Sequence, residues 1–291
     1  MKTPKRIQPL VEEGLVDEVI RQLMSGKEAT VYVVRCGDEI RCAKVYKEAN
    51  QRNFRNAVVY QEGRKVKNSR QARAMEKGSR YGRKMQEEVW QTAEADALFR
   101  LARAGVRVPQ AYGCYEGVLL MDLVTDVNGD VAPRLQEVDL DEKLALEYHA
   151  FLLHQVVLML CAGMIHGDLS EYNILVDENG PVIIDLPQAV DAAGNNSAQV
   201  MLERDVDNLT TFFSTFAPQL GDTQYGKEIW KLYKAGQLTP ETPLTGQIEE
   251  DNRPADVRTV MREIERVRRE EEARQLYLKE LKNPPAKPDN F

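Results

Sequence analysis

The segment His166-Gly167-Asp168-Leu169-Ser170-Glu171-Tyr172-Asn173 sets an aspartate and an asparagine five residues apart, and a second aspartate, Asp185, follows twelve residues after the asparagine. Carboxylate and amide oxygens are the hard ligands that Mg²⁺ takes. Phosphoryl transfer asks a protein for little covalent chemistry, but it needs a carboxylate near the attacking oxygen and metal ligands beside it. Taken singly, each of these residues is an ordinary turn former or strand-end cap. Together at this spacing, with His166 in place, they predict a reaction centre. Asp168 is the carboxylate beside the acceptor oxygen, and Asn173 and Asp185 are ligands for Mg²⁺, with Mn²⁺ as the alternative ion.

The spacing equals that of the kinase catalytic loop, H-x-D-x-x-x-x-N. Lys44, in Cys42-Ala43-Lys44-Val45, stands in an otherwise apolar strand. Alone it would mark a solvent-facing edge; paired with the downstream loop it resembles the lysine of a V-A-I-K strand that holds ATP phosphates. Such a lysine, taken out of water, needs a carboxylate partner from a following helix. Glu94 is the choice, because Glu87 and Glu88 lie nearer the helix start, where the helix dipole is explanation enough. Ser25-Gly26-Lys27-Glu28-Ala29 reads as a phosphate loop, although it lacks both the G-x-G-x-x-G and the Walker patterns.

These groups have to be carried by regular elements. Apolar spacing over residues 7–19 predicts a short helix. Strand-like runs follow at 20–24, 30–35 and 40–46, the last two joined by the turn-forming Cys36-Gly37-Asp38-Glu39. A helix over 89–104 stopped by Gly105, strands at 111–115 and 118–123 around Glu116-Gly117, and a long apolar helix over 143–162 come next. Short strands at 174–176 and 182–184 flank an Asn179-Gly180 turn, and the pattern after Gly194 is helical, ending in a charged helix over 254–282 with i,i+4 pairs such as Glu265 with Arg269. The Pro-rich 284–288 reads as a disordered tail.

The chain has 291 residues, 43% hydrophobic, which is enough for a sizeable core and predicts a soluble globular protein. Its net charge of −7 argues against a dominant nucleic-acid surface. The distribution is uneven, with eleven Lys and Arg against two Glu between 49 and 86. That segment has no sustained period and reads as a basic flexible insertion. The apolar stretch 151–165 contains His154 and Gln155 and is shorter than the roughly 20 residues that cross a bilayer, so it is expected as a core helix without membrane contact. The basic N-terminus leads into no apolar run, so the cytoplasm is the expected compartment. The cysteines (Cys36, Cys42, Cys114, Cys161) occur singly, which predicts neither zinc nor disulfides.

The chain resembles the RIO family of atypical protein kinases. The resemblance rests on the Ser-Gly-Lys-Glu-Ala loop with Thr30-Val31-Tyr32, the lysine strand, Trp90, Val108-Pro109, Leu120-Met121-Asp122, the His-Gly-Asp-Leu-Ser-Glu-Tyr-Asn loop, residues 184–189 (Ile-Asp-Leu-Pro-Gln-Ala), and residues 203–208 (Glu-Arg-Asp-Val-Asp-Asn). It is most like the first RIO subfamily, since no second domain's worth of sequence precedes the kinase core. The resemblance implies an α+β, bilobal protein-kinase-like fold, with a small antiparallel-sheet N-lobe and a mainly helical C-lobe. The expected divisions are an N-terminal helical extension (1–19), the N-lobe (20–124) with its insertion, the C-lobe (125–235), and a helical extension with its tail (236–291). It implies ATP binding through Ser25, Gly26, Lys27, Ala29, Lys44 and Glu94. Adenine would be held by the Asp122 carbonyl and the Val124 amide, with Met121 behind the ring. Asp168, Lys44 and Asp185 become the catalytic groups, Asp185 also the site of an aspartyl-phosphate, and Asp205 a brace for the catalytic loop. Leu186-Pro187 departs from the glycine common in the family, and the proline fixes φ there. No Ala-Pro-Glu motif lies between Asp185 and Glu203, which makes a conventional peptide platform doubtful.

The leading expectation is a RIO-type serine kinase or ATPase acting on itself or on an unknown protein substrate. Two alternatives stay open. One is a small-molecule kinase of the aminoglycoside or choline phosphotransferase type, which shares the His-Gly-Asp-Leu loop. The other is a nucleotide-gated factor binding RNA or a ribosomal particle through the basic insertion.

Overall fold

A computed structural model describes residues 3–47 and 80–248 of the chain. The N-lobe is an antiparallel sheet of five strands: β1 (Glu18–Ser25), β2 (Ala29–Cys36), β3 (Glu39–Tyr46), β4 (Ala111–Tyr115) and β5 (Val118–Asp122), in the spatial order β1-β2-β3-β5-β4. Side chains alternate across a strand, and β3, buried at every position from Cys42 to Tyr46, shows the consequence. Ala43 and Val45 join Val34, Val118 and Leu120 on one face, which α1 (Gln8–Glu12) covers with Ile7 and Leu10. Tyr46 belongs to the other core cluster, shared with the helix α2 (Arg80–Arg103) and the C-lobe. The sheet is thereby closed on both faces.

The C-lobe is built on α3 (Glu142–Cys161), capped by Asp141, whose carboxylate accepts from the Leu144 amide at 2.7 Å. At 20 residues α3 is long and apolar enough to cross a membrane by composition, so the length argument made from its apolar stretch does not hold. Its packing identifies it: Leu152, Val156 and Leu160 lie in the main core with residues of β6 (Met164–Ile165), β7 (Ile174–Asp177), β8 (Gly180–Ile183), β9 (Val190–Asp191) and α4 (Ala198–Ser214). α5 (Tyr225–Lys234) packs against α4 and α3.

Several boundaries differ from the sequence reading. α1 stops at Glu12, and Val19, taken into its pattern, is in β1 instead. α2 begins at Arg80, so its backbone runs through the last residues of the predicted flexible insertion. The β7–β8 turn falls on Glu178-Asn179, because Asp177 Oδ1 takes the Asn179 amide at 2.7 Å and Gly180, at φ +107°, already pairs with Asp177. β6 and β9 form a separate two-stranded pair too short to leave a sequence pattern. Beyond α5 the chain to residue 248 is not helical; Glu228 holds it by accepting from the Thr245 and Gly246 amides. Residues 49–79, the charged helix expected at 254–282 and the proline-rich tail lie outside the described residues. The four cysteines are free thiols, with Cys42 buried and its pKa pushed by burial up to about 12.

Candidate active site

Lys44 is 8% exposed and Glu94 1%, and the two meet where α2 packs on the inner side of the sheet. Lys44 Nζ donates to Glu94 Oε1 at 2.8 Å and to Asp185 Oδ1 at 2.5 Å. Burial alone would drive the lysine towards neutrality, but the two carboxylates outweigh it and raise its pKa above the ordinary value. Tyr46, two residues on and therefore on the same face, donates from Oη to Glu94 Oε2 at 2.6 Å, and burial followed by the glutamate charge raises the phenol's pKa. The Leu186 amide adds a fourth contact, to Glu94 Oε1 at 3.3 Å.

The loop after β6 is fixed from below by α4. Buried Asp205 accepts from the Gly167 amide at 2.7 Å and the Leu169 amide at 3.0 Å; burial pushes its carboxyl up to about 6 despite these bonds. Asn208 Nδ2 donates to the Leu169 carbonyl at 2.9 Å, and Arg204 donates to the Gly167 carbonyl. This is the bracing expected of Asp205. His166 Nε2 lies 3.1 Å from the Ile184 carbonyl, which can only accept, so Nε2 carries the proton and Nδ1 accepts the Asp168 amide at 3.3 Å. The catalytic loop and the strand leading to Asp185 are joined through that ring.

Asp168 opens to the cleft, and burial of its surroundings raises its pKa above the ordinary carboxylate value. Asn173 Nδ2 donates to the Asp168 carbonyl at 2.8 Å, which leaves the amide oxygen as its ligand-type atom. Asp185 adopts φ +66°, a left-handed conformation uncommon outside glycine and one that collects at functional sites. Burial pushes its carboxyl up, but the charge and hydrogen bond of Lys44 bring the pKa below the ordinary value. Gln188 Nε2 donates to Asp168 Oδ2 at 3.1 Å.

A cleft of about 870 Å³ collects these groups, its walls including Gly26, Lys27, Ala29, Met121, Asp122 and Val124 as well as Lys44, Glu94, Asp168, Asn173 and Asp185. Ser25 is not among the lining residues, and its hydroxyl lies 3.2 Å from Thr30 Oγ1. The 25–29 loop is held by the Gly26 amide donating to the Ala29 carbonyl at 2.9 Å and by Lys47 Nζ on the Gly26 carbonyl at 2.5 Å. In the linker the Val124 carbonyl is taken by the Ala132 amide at 3.0 Å, so it is the amide that suits a ligand edge. Sequence reasoning missed Tyr46, Gln188 and Arg134. Two-residue periodicity from Lys44 pointed to Tyr46. Arg134 lines the cleft and donates to the Tyr172 carbonyl at 2.6 Å, and it had no such signal.

Comparison with known proteins finds a family and several relatives. A family model described as "RIO domain" matches residues 30–225. The chain is 36% identical over 213 residues to the RIO-type serine/threonine-protein kinase Rio1 of Haloferax volcanii, covering 71% of this chain and 67% of that protein. It is 31% identical over 225 residues to the protein of the same name from Methanocaldococcus jannaschii, covering 77% and 71%. With the serine/threonine-protein kinase rio1 of Schizosaccharomyces pombe it shares 28% over 259 residues, spanning about half (49%) of that longer protein.

Proposed function

Because this chain belongs to the RIO family of kinase-fold phosphotransferases, we propose that it transfers the γ-phosphoryl group of ATP, with Mg²⁺, to a serine or threonine hydroxyl of itself or of a protein substrate. The observation that carries the reading is Lys44, paired with Glu94 and Asp185 on the wall of the cleft that Asp168 and Asn173 also line. Among the described residues no group of three or more His, Cys, Asp or Glu could hold a metal by itself. That suits an ion that enters with nucleotide, since Mg²⁺ is commonly bound by one or two protein oxygens plus substrate phosphates. Asn173 Oδ1 and the Asp185 carboxylate fit that role, and a bound Mg²⁺ would neutralise charge developing on the phosphates.

The protein's own work is then positional. Lys27 and the Gly26 backbone line the cleft where the phosphates would lie, and Lys44 brings a charge that Glu94 keeps in place. The acceptor oxygen attacks the γ-phosphorus, the bond from that phosphorus to the bridging oxygen of ADP breaks with its electron pair on ADP, and the acceptor's proton passes to Asp168. The test is incubation with γ-labelled ATP and Mg²⁺. Acid-stable label on serine is the expected result, and hydroxylamine-labile label would mark an aspartyl-phosphate at Asp185. Asp168→Asn should lower turnover by more than about 100-fold while ATP affinity stays within a few-fold; full turnover in that variant refutes the mechanism.

A further inference from the structure

We infer that Gln188 and Asp168 together form a receptor for water, so that Gln188 is a catalytic residue for ATP hydrolysis at the site proposed above. The inference rests on that phosphoryl-transfer reading. An ionised carboxylate only accepts hydrogen bonds, so the 3.1 Å contact to Asp168 Oδ2 must come from the Gln188 Nε2 amino group. That fixes the amide's orientation and sets Oε1 as a second acceptor beside the carboxylate. Both residues line the cleft shared with Lys44 and Asp185. Gln188 is also held on a short tether. Pro187 before it has a fixed φ, and the Leu186 amide and the Ala189 amide are bonded to Glu94 Oε1 at 3.3 Å and to the Leu186 carbonyl at 3.1 Å.

Two adjacent acceptors match an attacking molecule that carries two O–H bonds. Water can donate to Asp168 and to Gln188 Oε1 at once; a serine hydroxyl has one proton and satisfies only one of them. In the step itself, the water oxygen forms a bond to the γ-phosphorus and the bond to the ADP bridging oxygen breaks with its electron pair on ADP. One water proton goes to Asp168, and the other stays on the phosphate product. Glutamine orienting an attacking water is an arrangement known from GTPases.

The experiment measures phosphate release and label transfer to protein serine side by side, in the unaltered chain and in Gln188→Leu, Gln188→Met and Asp168→Asn. Folding is checked by thermal denaturation, and nucleotide affinity by binding of a non-hydrolysable ATP analogue. Loss of one oriented hydrogen bond predicts a fall of about 10- to 100-fold in phosphate release for both Gln188 variants. Serine labelling should fall several-fold less, so the ratio of release to labelling drops. An unchanged ratio, with Asp168→Asn still abolishing both, overturns the role of Gln188 and leaves the transfer reading intact. Activity surviving in Asp168→Asn overturns both. A purely structural glutamine would lower the two rates in proportion, which also refutes the inference.

Discussion

Replacing His149 with glutamine should change how stability depends on pH. His149 is 2% exposed, inside the C-lobe core, with its Nε2 3.2 Å from Thr210 Oγ1 and its ring against Phe213 and Tyr225 at centroid distances of 5.6 and 5.5 Å. Burial with no charged partner pushes its pKa down from 6.5 to about 4. Between those values the unfolded chain holds a proton that the folded protein does not, so stability is full above pH 6.5 and is lost as pH falls. Linkage over pH 7.5 to 5 gives a loss of about 2 kcal/mol from this one residue. Asp205 acts in the opposite sense. Its folded pKa is raised to about 6, so the folded state holds the extra proton, and acidification over the same interval returns about 1 kcal/mol. The two buried groups therefore mask one another. Denaturant midpoints at pH 7.5, 6.5 and 5 should show His149→Gln losing about 2 kcal/mol less than the unaltered chain on acidification, whatever constant packing cost the substitution carries. Parallel pH profiles for the two proteins would refute the placement of a neutral histidine in this core.

Lys44→Met should destabilise the fold as well as stop turnover. It leaves Glu94 buried with only Tyr46 and the Leu186 amide as partners, a loss of about 3 kcal/mol readable by chemical denaturation at pH 7. Gly26→Ala should separate ligand from fold. A Cβ at that position meets only the Ala29 carbonyl at 3.7 Å, so the melting temperature should hold while affinity for ATP, measured by calorimetry, drops.

Much of the site was legible because phosphoryl transfer constrains residue type and spacing within a short stretch. Asp168, Asn173 and Asp185 are delivered by one loop and one hairpin, so their relation survives in the sequence even where the hairpin register was read one residue late. Lys44 and Glu94 were legible for another reason: a charged residue in an apolar strand, and one in the middle of a helix, each ask for a partner. Other features had no local signature. Gln188 meets Asp168 from across 20 residues of chain, and Arg134 reaches Tyr172 across 38. The two-residue strands β6 and β9 are likewise defined only by pairing with each other. The start of α2 at Arg80 was hidden by its composition, since a basic, weakly apolar stretch carries no apolar period to mark a helix.

The Glu94 carboxylate ties these levels together. One oxygen takes both the Lys44 ammonium and the Leu186 amide, and the other takes the Tyr46 hydroxyl. Lys44 in turn reaches Asp185, one residue before Leu186. Lys44 and the backbone of the Asp185 loop thus share a single anchor on α2, and a shift of that helix along the sheet would disturb both at once. Asp185 is also held by its own left-handed backbone, and His166, bonded to the Ile184 carbonyl, fixes the preceding peptide to the catalytic loop. Asp205 and Asn208 then fasten that loop to α4. A continuous chain of hydrogen bonds runs from α2 through the Asp185 loop and the 166–173 loop to α4.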